Sequence, residues 1–553
     1  MKGSLFKLSA LISLSMALVA CGGGNTNNAQ HNKASPDTNI ENRTLVVAND
    51  SDVPTLDPGL SNDSTSNRVI FDLFEGLINQ NQQNDPVPGV AKSWDISDDG
   101  LVYTFHLRDD ARWSNGDPVT ANDFVYALRR NADPHTAAPQ NFVLKVIKNG
   151  AQVIAGKLPV SDLGVEAIDA HTLKITLAYP SAYFLNTLTL PVTFPLYKPV
   201  IDKWKGQWTQ PQHIVSNGAY LLKEWVVSGY ILENKNLYYW DRQAVKIKQV
   251  KILPTETLAA YNQYRAAQVD VASPPPGIRL KQLYHNFPNQ VYNAPYMAII
   301  YYWINMRNPE FKDIRVRKAL SMVVNRQSIA KYVIAMGQTP AYGIVPDMIQ
   351  HGVYKDLYKD IPSYDWVSWP MDRRITTAKK LLEEAGYNKQ HPLVFTLSYN
   401  TSEFNKQIAL SVMEMWKAAF GDSVNVKLEN EEWKVYLNSV SNGQFDIARM
   451  GSNASINAAG EFVEQYTCDS VSNAGGSCIP AIGEYYLKGL HSKTQKGYTE
   501  NMKKAMIIAM ENYLTIPIDN AQYTVLVKPD IGGYIPDDNY LNNVYSKWFY
   551  FKA

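Results

Sequence analysis

Along the chain, short stretches rich in β-branched and aromatic residues alternate with longer stretches of helical period. "TLVVAND" predicts a strand running into "SDVPTLDP", where two prolines and an aspartate force a turn. In "SNRVIFDLFEGLI" the apolar residues Val69, Phe71, Leu73, Phe74 and Leu77 fall near helical period and predict a helix. "AKSWDI" and "LVYTFHL" flank "SDDG", where Asp99–Gly100 can adopt the positive φ of a hairpin turn. A helix begins at Thr120, with Asp123 three positions on completing a cap. Further helices are predicted over Asp313 to Asn325 and over "TTAKKLLEEAGY", the latter stopped by Gly386. Strands follow at "LVFTLSYN", "VNVKLEN" and "FDIARM". The body is therefore mixed α/β. After the strand-like "QFDIA" comes "RMGSNASINAAGEF" (residues 449–462), small and polar around Arg449, which reads as a loop with no core to join.

A chain of 553 residues exceeds one hydrophobic core, so two or three domains are expected. A formal net charge of +1 lacks the basic footprint that nucleic acid demands. The 34 tyrosines and 12 tryptophans suit large cores, and also ligand clefts. Lys2 and Lys7 flank the start of a brief apolar run that ends in "LVAC", with small residues before Cys21, the pattern of a signal peptide. Small residues at Val19 and Ala20 before a cysteine resemble the lipobox of bacterial lipoproteins, in which Cys21 is acylated. Residues 21–44 then read as a polar tether, so the expectation is a body anchored to a membrane by an N-terminal lipid. The remaining cysteines, Cys468 and Cys478, should pair in an oxidising compartment, closing a loop for about 3 kcal/mol. Serine-hydrolase, zinc-protease and Walker motifs are absent, and no metal or cofactor site is expected. Nothing in the sequence supports an enzyme.

Taken in order, the pieces resemble one family. "AKSWDISDDGLVYTFHLRDDARWSNGDPVTANDFVYALRR" is similar to the signature block of the extracellular solute-binding proteins of family 5. "VSNGAYLLKEWV", "NKNLYYWD", "FKDIRVRKALSMVVNR", "AKKLLEEAGY" and "LENEEWKVYLN" agree with it, so the likeness runs from about residue 45 to the C-terminus. Within the family the chain resembles the periplasmic oligopeptide-binding proteins that feed ABC importers. The resemblance implies a two-lobed clamshell of the class II periplasmic-binding-protein fold, with an additional small domain in the first lobe. It implies these boundaries: signal peptide 1–20, tether 21–44, lobe I from 45–72, 197–297 and 521–553, the extra domain 73–196, and lobe II 298–520. The expected protein is a monomeric periplasmic or cell-surface lipoprotein that captures peptides between its lobes and delivers them to importer permease subunits. The same scaffold could instead hold a haem, a metal chelate or a modified peptide; an exported hydrolase is a remote third reading.

In the oligopeptide-binding relatives the segment after the "FDxAR" strand pairs with an extended peptide and supplies an aspartate for its α-ammonium. Arg449 matches the family's arginine, and Gly451, Ser452 and Asn453 match the pairing residues. Ser455 stands where the aspartate would be. Ser452 and Asn453 also replace a tryptophan and a cysteine of that loop, and the cysteine's partner falls at Ala298. Asp519, in "TIPIDNAQY", and Glu461 are the acids that could replace the missing charge, although Asp519 could equally be a solvated strand-end carboxylate. Asn405, Val440 and Trp303 stand at the positions of a histidine, an arginine and a glutamate, and Trp433 matches. In lobe I, Ser61, Asn62 and Asp63 complete the expected ligand-binding set.

Overall fold

The computed structural model describes residues 42–275, 277–347, 364–456, 458–535 and 539–552. The leader, Cys21 and most of the tether lie outside them. The chain enters on the strand Thr44–Ala48, whose alternating burial follows its period of two. A helix, Ser64–Leu73, comes next. Asp63 starts it by accepting the Ser66 amide at 2.7 Å. The helix stops at Leu73, four residues short of the apolar run that predicts it. Gly218 explains the stop, because its amide donates to the Leu73 carbonyl and a Cβ there would lie 2.4 Å from the Leu73 carbonyl carbon. Asn217 then holds Glu75 through both its backbone N–H and its carbonyl. Tertiary contact here overrides local period.

Two sheets organise the rest. A four-stranded antiparallel sheet joins Ala91–Ile96, Val102–Leu107, Thr172–Thr176 and Val165–Asp169, in that spatial order. Its first hairpin turns at Gly100, which takes the expected positive φ of 74°. The helix Ala121–Ala132 covers it, opened by the Thr120 amide donating to Asp123 at 2.8 Å.

Among the described residues the main sheet has eleven strands, ten in one path and the short Thr339–Pro340 paired beside Thr515–Val527. At its centre lie two long antiparallel strands, Val291–Ile304 and Thr515–Val527. On one side follow Val271–Ala272, Thr44–Ala48, Gln249–Leu253, Tyr230–Lys235 and Tyr220–Val226. On the other follow Ile447–Asn453, Leu393–Asn400 and Val424–Glu431, flanked by the helices Glu403–Phe420 and Met371–Glu384. The central ladder shifts register between Pro295 and Ile299, opposite Asn520 and Gln522. One apolar core unites Leu73, Phe105 and Trp113 with the Tyr220–Leu253 wing, and a separate one gathers Trp366, Phe395 and Trp416 under the opposite wing. Cys468 and Cys478 are joined by a disulfide with Cα atoms 4.6 Å apart.

A candidate peptide cleft

The segment expected to turn into a loop at Arg449 continues as a strand to Asn453, because the central strand supplies a partner. Arg449 pairs with Tyr302, Gly451 with Ile300, Ser452 with Ile299 and Asn453 with Ala298. The last pairing places Asn453 opposite Ala298, the register the resemblance implies. On its other edge this strand meets Leu393–Asn400 only at Ile447 and Ala448. Beyond Ala448 that edge carries no strand among the described residues.

A cleft of about 1280 Å³ opens there. Asn62, Asp63 and Arg68 line one wall, while Asn405, Arg449, Asn453 and Ser455 line the other. Six of the expected site residues therefore come together. The remaining five stand apart from the lining. Ser61 is fully buried and donates its hydroxyl to Asn67 at 2.6 Å. Gly451 and Ser452 belong to the strand itself. Trp433 begins the helix Trp433–Ser441, is 46% exposed and stacks beside Tyr436. Asp519 is 2% exposed in the middle of its strand, which excludes the solvated strand-end reading. Trp303 and Val440 are core residues.

Arg449 is held by its backbone, with the carbonyl accepting the Tyr436 hydroxyl at 2.6 Å. Gly451 fits against the neighbouring strand, since a Cβ there would lie 2.9 Å from Ile300 Cδ1, and it sits in ordinary contact distance of the Arg449 guanidinium. Burial lowers the guanidinium's pKa. Burial also pushes the Asp519 carboxyl up to about 7, against the opposing pull of Arg449.

At Ser455 the structure supplies an acid from behind. The Ser455 amide donates to Glu461 Oε2 at 2.6 Å and the Ile456 amide to Oε1 at 3.2 Å. Burial still raises the Glu461 carboxyl to about 7. Its oxygens already serve the loop backbone, so Glu461 braces Ser455 without itself lining the cleft.

Arg68 escaped the sequence reading. It donates to Asp72 Oδ2 and to Ser546 Oγ, each at 2.7 Å, and faces the cleft. The signal was available, since the lining residues Ser64, Asn67, Arg68 and Phe71 recur at helical spacing on one face. Asn405 donates to Asn400 Oδ1 at 2.9 Å and leaves its own Oδ1 unpartnered. Among the described residues no group of three or more His, Cys, Asp or Glu could hold a metal ion, and no helix is long and apolar enough to cross a membrane.

A cleft flanking a half-open sheet edge, under a sheet whose two wings share one central strand pair, is the architecture of a solute-binding protein. The model of the bacterial extracellular solute-binding proteins, family 5 Middle, matches residues 85–474, and the chain belongs to that family. It is 39% identical over 517 residues to the periplasmic oligopeptide-binding protein OppA of Escherichia coli strain K12, covering 93% of each chain. Its fold matches the Escherichia coli murein tripeptide binding protein MppA with TM-score 0.78 at 36% identity, covering 92% of this chain and 99% of that one. The Haemophilus influenzae OppA complex with RPPGFSPFR matches with TM-score 0.77 at 33% identity, covering 93% and 99%. The fold is accordingly the two-lobed clamshell of that family, with a small added domain.

Proposed function

We infer that this protein captures peptides in the cleft and presents them to an ABC importer. The observation that carries this reading is the unpaired edge of Arg449–Asn453 at the cleft wall. An extended peptide can add there as a further strand, its main chain supplying hydrogen bonds that do not depend on sequence. Likeness to proteins named for oligopeptides and murein peptides supports the cargo class. The ligand contacts we assign are Asn62, Asn405, Arg449, Asn453 and Ser455, with Gly451 and Ser452 presenting backbone, while Asp63 caps the helix that lines the opposite wall. The lobes meet where the chain crosses near Pro295–Ile299 and Asn520–Gln522; the register shift there is the natural place for hinge bending. Lobe I then takes 45–72, 197–297 and 521–553, lobe II takes 298–520, and 73–196 is the added domain. The protein acts as a monomer in the periplasm or at the cell surface, tethered to a membrane through lipid on Cys21.

Native mass spectrometry of the purified protein tests the cargo. A ladder of bound peptide masses is expected, removed by mild denaturation and rebound on refolding. A single fixed mass of haem or a metal chelate would replace the peptide reading.

A further inference from the structure

Three adjacent strands at the cleft bury three polar atoms that have no hydrogen-bond partner: Arg449 Nε, Tyr302 Oη and Asp519 Oδ2. Strand pairing makes them neighbours. Arg449 lies opposite Tyr302, and Asp519 lies opposite Ile300, two residues along the same central strand. Arg449 lines the cleft, whereas Asp519 does not and is almost wholly buried. The carboxyl therefore stands behind the guanidinium as a ligand would meet it. Each acts on the other electrostatically, drawing toward the charged forms against the cost of burial. The other groups acting on Arg449 are the phenols of Tyr301 and Tyr302 on the central strand and of Tyr436 on the Trp433–Ser441 helix. Burial keeps all three phenols protonated. Asp519 is the one carboxyl in this group.

We propose that Asp519 is a specificity-determining residue that neutralises Arg449 from within the protein, so that this part of the cleft takes the uncharged backbone of a continuing peptide rather than a terminal carboxylate. The proposal rests on the peptide reading above. A cleft arginine alone attracts a carboxylate strongly, because water is excluded and the local dielectric is low. An ionised carboxyl on the far side repels that carboxylate from a longer range and offsets part of the attraction. A peptide carbonyl loses little, since its bond to the guanidinium is short-ranged and directional. Such a carbonyl also relieves the cost of a buried donor left unpaired. Asp519 cannot serve as a clamp for the ligand's ammonium, because a carboxyl 2% exposed behind Arg449 offers the ligand no surface.

The test is calorimetry at pH 8 with alanine peptides of two to five residues, each as the free acid and as the C-terminal amide. Wild type is expected to bind acid and amide within about threefold at every length. Asp519→Asn should raise the acid-to-amide ratio about tenfold or more at the length that brings the carboxylate to Arg449. Adding Arg449→Gln should cancel that gain. Asp519→Ser should reproduce it, which separates lost charge from a poorly fitting amide. A pH series checks the same point: lowering the pH from 8 to 6 moves Asp519 toward its protonated form but leaves the peptide carboxylate ionised, so the ratio should climb in wild type and equally in Glu461→Gln. The proposal is overturned if the ratio stays the same at every length in the variants and across that pH range. If no alanine peptide of either form binds wild type, the peptide reading fails and the proposal goes with it.

Discussion

Asp519 is closed off from water and Glu461 is half-buried, and burial pushes both carboxyls from ordinary values of 3.8 and 4.5 up to about 7. Between roughly pH 4 and 7 the folded protein therefore holds protons that the unfolded chain has released. Their contribution to stability is full below the unfolded values and is lost as pH rises through 7. Asp313 and Asp133 are shifted the other way by hydrogen bonds they accept, so they weaken the fold only in more acid solution. The ligand-free protein should thus melt higher at pH 5.5 than at pH 8. Glu461→Gln and Asp519→Asn should each flatten that slope in scanning calorimetry. A wild-type melting temperature that rises steadily from pH 5.5 to 8 would mean that both carboxyls are ionised throughout. At this scale the sequence was only partly legible. Arg449, Asn453 and Ser455 could be placed because they follow a buried strand in a matching motif. The burial of Asp519 could not, since one charge in "TIPIDNAQY" does not reveal which strands cover it. Trp433 shows the same limit: an aromatic at a helix start does not reveal that its ring is about half exposed beside Tyr436, outside the cleft lining.

Helix Ser64–Leu73 presents Ser64, Asn67, Arg68 and Phe71 to the cleft, and Asp63 fixes where that helix begins. The Asp63 carboxylate accepts the Ser66 amide and the Thr65 hydroxyl, at 2.7 and 2.6 Å. Its task is therefore local. Asp63→Ala should destabilise the protein by about 1 kcal/mol and loosen binding through the helix, whereas Asp63→Asn should cost little of either. Chemical denaturation with parallel affinity measurements checks this. Equal loss of affinity in both variants would show instead that the negative charge meets the ligand. Element types were the most legible layer: the Gly100 hairpin, the Thr120 cap and the Gly386 stop all stand where local chemistry puts them. Element ends were less so. The first helix ends early because Gly218 occupies its path, and the Arg449 strand runs long because the central strand reaches it. Both causes lie more than a hundred residues away in the chain.

Both wings of the molecule share one continuous sheet that no local pattern discloses; the family likeness, not periodicity, made the two-lobed form legible. If Cys21 carries the only membrane attachment, Cys21→Ala should move the protein into the soluble fraction, because one interfacial tether then supplies all the affinity. Retention of that variant on membranes after a high-salt wash would rule the anchor out. The central sheet also has a consequence in time. Val291–Ile304, with its uncharged "MAIIYYWI", pairs among the described residues with Ile447–Asn453 and Thr515–Val527. At synthesis rates of about 5–20 residues per second, the second partner emerges roughly 10–40 s after the first strand. Until then a long apolar strand keeps at least one open edge, the condition under which chains join one another instead of themselves. A chain ending near residue 510 should consequently form β-rich aggregates on dilution from denaturant, and a separately added peptide spanning 511–530 should suppress them. Light scattering follows the race, and a truncated chain that refolds cleanly without the peptide would show that the strand is sheltered some other way while it waits.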